Sequence, residues 1–246
     1  MHWLYFLFAS AAAAQQPPAK PLRFDLAELP MTHDSFTFFL DRSARGFAVW
    51  QYETRTVAGR AEIVYSQYSE FEPIEEEHLR VVLDRDTGAP LTSYHHIDLF
   101  SPTSDTDMVE HDLAVRADRV VGTRRVGRRG GRVDTIAVHA ALPPDAVWSS
   151  YELFAAAVTN AAPGDSLAVP AYQEFRDSVG TLRFVAGQPT SIEVPAGRFD
   201  VLPLKSGDFR LYVTRQAPRR VVKGETLDGR FSFELAHTGP VIPTGP

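Results

Sequence analysis

The 246-residue chain contains no cysteine. That absence excludes disulfides, a thiol nucleophile, thiolate metal ligands and a cysteine-linked lipid, so a lipid-anchored lipoprotein is not expected. Long apolar runs are also missing. The longest, at the N-terminus, holds about 12 apolar residues where a membrane-spanning helix needs ~20. Lys and Arg are absent before Lys20, and His2 is the only basic side chain in that stretch. The readily recognised enzyme signatures are lacking as well: there is no Gly-x-Ser-x-Gly elbow, no His-Glu-x-x-His pair and no Gly-rich phosphate loop. A formal net charge of −6 gives no general nucleic-acid signature.

What is present begins with "WLYFLF" (3–8), followed by alanine-rich small residues and Gln15-Gln16-Pro17-Pro18. This order predicts a secretory signal peptide over 1–14, cut after Ala14; the alternative is a short buried strand or membrane stub. A polar, Pro-rich leader over 15–30, a single β domain over 31–238 and a flexible tail over 239–246 complete the expected organisation. Export without disulfides points to a bacterial periplasmic or secreted location.

From residue 31 the sequence is a series of short alternating runs broken by turn residues, the pattern of an all-β chain. In "GFAVWQYET", Ala48, Trp50 and Tyr52 alternate with Phe47, Val49 and Gln51. Gly130-Gly131 predicts a hairpin between "RVVGTRRVG" and "RVDTIAVHA", since both glycines accept positive φ. One segment departs from the two-residue period. In "LPPDAVWSSYELFAAAVTN", Val147, Tyr151, Phe154 and Val158 recur at helical spacing behind Asp145 as N-cap. The expected fold is therefore mainly β: a curved antiparallel sheet or half-open β-barrel meander, with one main helix near 145–160.

Chemistry-bearing residues are scattered. His95-His96 with Asp98, and His111 between Glu110 and Asp112, are two separate candidate constellations for acid–base work. Neighbours on a strand face opposite ways, so His95 and His96 do not share a metal. No catalytic residue, metal or cofactor is assigned. "EFEPIEEEH" reads as a solvated acidic loop without the order of a calcium loop. Arg124, Arg125, Arg128 and Arg129 belong to a basic hairpin that either meets anionic envelope lipids or guards a sheet edge. Nucleic acid is not expected, because the hairpin tip lacks interleaved aromatics. The aromatic residues Trp50, Tyr65, Trp148, Tyr151, Phe154 and Tyr212 are candidates to line a cavity for an apolar or amphipathic molecule; the alternative is a filled core.

From Val147 to Leu235 the chain carries "SSYELFAAAVTN", "APGDSLAVP", "EVPAGRFDVLPL", "DFRLYVTRQAPRRVV" and "GRFSFELA". In that order these segments resemble a bacterial domain-of-unknown-function family of exported β proteins with a V-P-A-G-x-F turn, distantly like periplasmic lipoprotein carriers. The resemblance implies an envelope protein with a half-open barrel and brings no catalytic residue. Together these readings predict a non-enzymatic exported envelope protein binding a lipid or other apolar ligand. Two alternatives stand beside it: a hydrolase-like enzyme with a His/carboxylate site, and a structural module that binds a protein partner.

Overall fold

The computed structural model describes residues 19–100 and 103–241, without the side chains of Glu28 and Tyr151. The expected signal peptide over 1–14 and the last residues of the expected tail, 242–246, lie outside the described residues.

Two antiparallel meanders build the molecule. The first comprises β2 (Thr32–Leu40), β3 (Ser43–Val57), β4 (Arg60–Phe71), β5 (Glu75–Asp84), β6 (Pro90–Leu99), β7 (Thr106–Arg116), β8 (Arg119–Arg128) and β9 (Arg132–Ala141). The second comprises β11 (Ser166–Gln173), β12 (Ser178–Ala186), β13 (Thr190–Val194), β14 (Gly197–Ser206), β15 (Phe209–Thr214), β16 (Val221–Thr226) and β17 (Phe231–Pro240). Pairing of β17 with β2, from Phe231 opposite Leu40 to Pro240 opposite Thr32, fuses them into one 17-stranded sheet. At its far end two short strands, β1 (Lys20–Pro21) and β10 (Val147–Trp148), run parallel to β11. The result is a curved, mostly antiparallel sheet that does not close into a barrel: β9 forms one end and the β1/β10/β11 edge the other.

The period-2 alternation places one apolar set on the concave face. Ala48, Trp50 and Tyr52 of β3, Tyr65 of β4 and Val81 and Leu83 of β5 are buried there. Each such large side chain contributes roughly 1.5–3 kcal/mol through burial. An aromatic cluster fills the bend where the two meanders meet: Phe36 lies 3.9 Å from Trp50 and 5.7 Å from Phe233, between ring centroids. Gly224, opposite Phe233 in the ladder, makes this possible, since a Cβ there would lie 2.3 Å from the Phe233 ring.

One helix, α1 (Glu152–Val158), lies within the expected window but is shorter, and a 3-10 turn over Ser149–Tyr151 precedes it. Two features differ from the expectation. Val147-Trp148 are extended and pair with Ala171-Tyr172, and Asp145 adopts φ +60° instead of capping the helix. The capping role passes to Glu174 in the β11–β12 turn. Its carboxylate accepts hydrogen bonds from the Ser149 amide at 3.0 Å and from the Ser149 and Ser150 hydroxyls at 2.5 Å each. Six of the seven helical residues, all but Leu153, are buried, so α1 is a core plug and not an amphipathic surface helix.

The acidic segment also departs from its expectation as a solvated loop. Glu75 and Glu77 lie on β5, and Glu75 is buried on the concave side. Their placement follows from strand register: β4 ends at Phe71, residues 72–74 make the turn, and Glu75 opens β5 directly opposite Phe71.

Candidate functional site

Strand pairing unites what the sequence presents as two constellations. His95 of β6 stands directly opposite His111 of β7, and both side chains face the interior with ring centroids 5.3 Å apart. His96 points the other way, towards Glu110 at 3.1 Å and Asp98 at 3.2 Å. The expectation that the adjacent histidines face opposite sides is met.

On the concave face His95 Nε2 meets Glu77 Oε1 at 2.5 Å. The other carboxylate oxygen of Glu77 accepts from Gln67 Nε2 at 2.8 Å and from the Ser69 hydroxyl at 3.1 Å. Tyr65 donates in turn to Gln67 Oε1 at 2.7 Å. Burial alone raises the Glu77 carboxyl, but the His95 charge and the bonds from His95, Ser69 and Gln67 outweigh it and hold it below the ordinary carboxylate range. Glu75, close by, is pushed well above that range by burial and by the Glu77 charge. His111 shares a hydrogen bond of 3.1 Å with Ser93, and both are fully buried. Burial, then the charges of His95 and Arg124, push the His111 imidazole well below its usual range and keep it neutral.

Phe175, from the β11–β12 turn, covers both imidazoles with centroids at 4.8 Å and 5.0 Å. Arg124 of β8 holds that turn by donating from Nη1 to the Phe175 carbonyl at 2.6 Å. The cluster therefore ties the β11–β12 hairpin to the inner face of β6, β7 and β8. As a catalytic constellation it is poorly arranged. Glu77 orients His95, whereas the serine contacts His111, whose Nδ1 is buried without a partner. Among the described residues no group of three or more His, Asp or Glu side chains is placed to hold a metal.

A cleft of about 880 Å³ opens between the β5–β6 and β7–β8 turns and the β1/β10/β11 edge. One wall is the β5–β6 turn at Thr87, Gly88 and Ala89 with Val115 and the β7–β8 turn; the other is Leu22, Phe24, Val147 and the β11 edge at Val169 and Pro170. The local reason for the opening is an interrupted edge. β1 covers β11 at Leu167 and Ala168, β10 covers it at Ala171 and Tyr172, and Val169 and Pro170 lie between them. Pro170 has no N–H to offer a neighbouring strand. A smaller cavity of about 170 Å³ lies between the end of α1 and β14–β15, lined by Ala156, Leu204 and Arg215 among others.

The aromatic residues singled out from the sequence lie elsewhere. Trp50 packs against Phe233, Tyr65 stacks on Tyr52 at 5.1 Å, Trp148 meets Tyr172 edge-on and Phe154 contacts Phe24 and Tyr52. Tyr212 donates to Glu225 at 2.6 Å. None of these five lines either cavity; the side chain of Tyr151 is outside the described residues. Nor do the four arginines form one patch. Arg124 points inwards to Phe175, Arg125 pairs with Glu110 at 3.2 Å, Arg128 with Asp134 at 3.5 Å, and Arg129 sits in the hairpin turn.

Ser93 and Phe175 are outside the sequence candidates, whereas Glu77 comes from the acidic segment expected to be a solvated loop. The available signal is polar residues two apart on the buried face of strands, as in Glu75-x-Glu77 and Ser93-x-His95. Comparison of the chain with protein-family models, curated proteins and solved structures gives no match.

Proposed function

We propose that this is an exported, non-enzymatic binding protein that takes an apolar or amphipathic small molecule in the cleft beside the β11 edge. The observation that carries the reading is the cleft itself. Its volume of about 880 Å³ lies within the ~300–1,000 Å³ typical of small-molecule sites. Leu22, Phe24, Val115, Leu142, Val147 and Val169 give it apolar walls, with Arg23, Asp118 and Asp145 also on its lining. Prolines at 21, 90, 143, 144 and 170 stiffen those walls, favouring a pocket formed before the ligand arrives. Export rests on the signal-like N-terminal sequence.

The His95–His111 cluster supports binding over hydrolysis, because Phe175 covers it and none of its members lines the cleft. Native mass spectrometry of gently purified protein is expected to show adducts of one mass class, removable by organic extraction and less abundant on Val115→Trp, which narrows the cleft. Adducts of equal abundance on the variant would defeat this reading.

A further inference from the structure

The basic hairpin suggested a charged edge, yet its arginines are mostly not on the edge. Arg119, Arg124, Arg125 and Arg128 lie on β8, and Arg129 is in the turn. The strand that ends the sheet is β9, whose sequence is RVDTIAVHAA. It pairs with β8 along its whole length, from Arg119 opposite Ala141 to Arg128 opposite Arg132, and among the described residues no strand pairs with its other side.

This edge lacks the usual defences. Charged side chains are confined to its start, where Arg132 pairs with Asp134 at 2.7 Å. From Thr135 to Leu142 there is no Lys, Arg, Asp, Glu or Pro, and β9 has no register shift against β8. Arg119 Nη1 lies 3.0 Å from His139 Nδ1, a cross-strand contact between β8 and β9. Val133 is 46% and Ile136 39% exposed. A long, regular, β-branched edge with free backbone donors and acceptors is a template for another strand.

We propose that β9 docks against β9 of a second copy of this chain, antiparallel, across a two-fold axis perpendicular to the sheet. The strand is self-complementary in that arrangement. Centred on Ile136, the pairing sets Arg132 opposite Ala140 and Asp134 opposite Val138. Centred on Ala137, it sets Arg132 opposite Leu142 and Ile136 opposite Val138. In either register the charged start of each copy meets the uncharged end of the other, and no like charges face each other. The sheets of the two copies then form one continuous sheet through the dimer, which removes the free edge.

Sedimentation velocity of the full folded protein over a dilution series tests this. A monomer–dimer equilibrium is expected, with a dissociation constant raised about tenfold or more by Ala137→Lys. Ala137 is exposed, so this variant should keep the parent circular dichroism spectrum. Because the chain has no cysteine, Ile136→Cys and Ala137→Cys each introduce a single thiol. A residue on the dyad faces its own copy at about 4.5–5.5 Å between Cα atoms, within disulfide range. At least one of the two variants should form a disulfide-linked dimer, and Val57→Cys, exposed on another strand end, should not. A protein that stays monomeric throughout overturns the proposal, including the case in which β9 instead takes an extended segment of another protein. A dimer unaffected by Ala137→Lys, with neither thiol cross-linking, overturns it equally.

Discussion

Two buried ionisable side chains give opposite pH dependences. Glu152 begins α1 and is held up to about 7 by burial, against which a hydrogen bond from Ser206 acts. The folded protein keeps that proton where the unfolded chain, with its ordinary value of 4.5, has released it. Its contribution to stability is therefore full at low pH and shrinks as pH rises, levelling off above about 7, a total loss of about 3 kcal/mol. His111 behaves in the reverse sense. Its folded value lies well below 6.5, so stability is lost as pH falls below that value. Relative to the parent, Glu152→Gln should steepen the rise of urea midpoint with pH between about 4.5 and 7, and His111→Leu should flatten it below about 6.5. Parallel curves for parent and variants would contradict both assignments. A third residue acts through backbone strain alone: Gly197 has φ +131°, and a Cβ there meets nothing within 4 Å. Gly197→Val should cost roughly 1 kcal/mol or more, read as a lowered melting temperature.

At the scale of elements, the strands were legible because the two-residue period survives in nearly all of them. Ala48, Trp50 and Tyr52 share the buried face, and the Gly130-Gly131 hairpin forms with φ of +98° and +87°. The helix was only half legible. Its apolar positions at helical spacing include Val147, which belongs to a strand because Ala171 and Tyr172 offer a partner that no local pattern discloses. The same limit hid the histidine cluster: His95 and His111 are 16 positions apart and meet only through ladder register. Glu174 shows how one element holds another, since it is 1% exposed and spends its carboxylate on the first turn of the helical segment. Glu174→Ala removes these charge-assisted bonds, with an expected cost of about 2–3 kcal/mol. Hydrogen exchange should then quicken in the α1 amides while those of β3 and β4 stay protected. Uniform quickening across both would indicate global loss instead of a released cap.

For the whole molecule, joining β17 to β2 makes one sheet from two meanders, and the latch of Phe175 and Arg124 on β6–β8 sets how far its ends approach. The cleft is what this partial closure leaves. Composition and period led to a curved β sheet with one helix, but not to the site, because Trp50, Tyr65, Trp148 and Phe154 pack into the core and Tyr212 bonds to Glu225, while turn and edge residues line the cleft. The most direct test is titration of the parent and Val115→Trp with an environment-sensitive fluorescent acyl probe. The cleft-binding account predicts saturable, one-to-one enhancement with the parent and at least about tenfold weaker affinity with the variant. Equal, saturable binding by both proteins, or none by the parent, would contradict it.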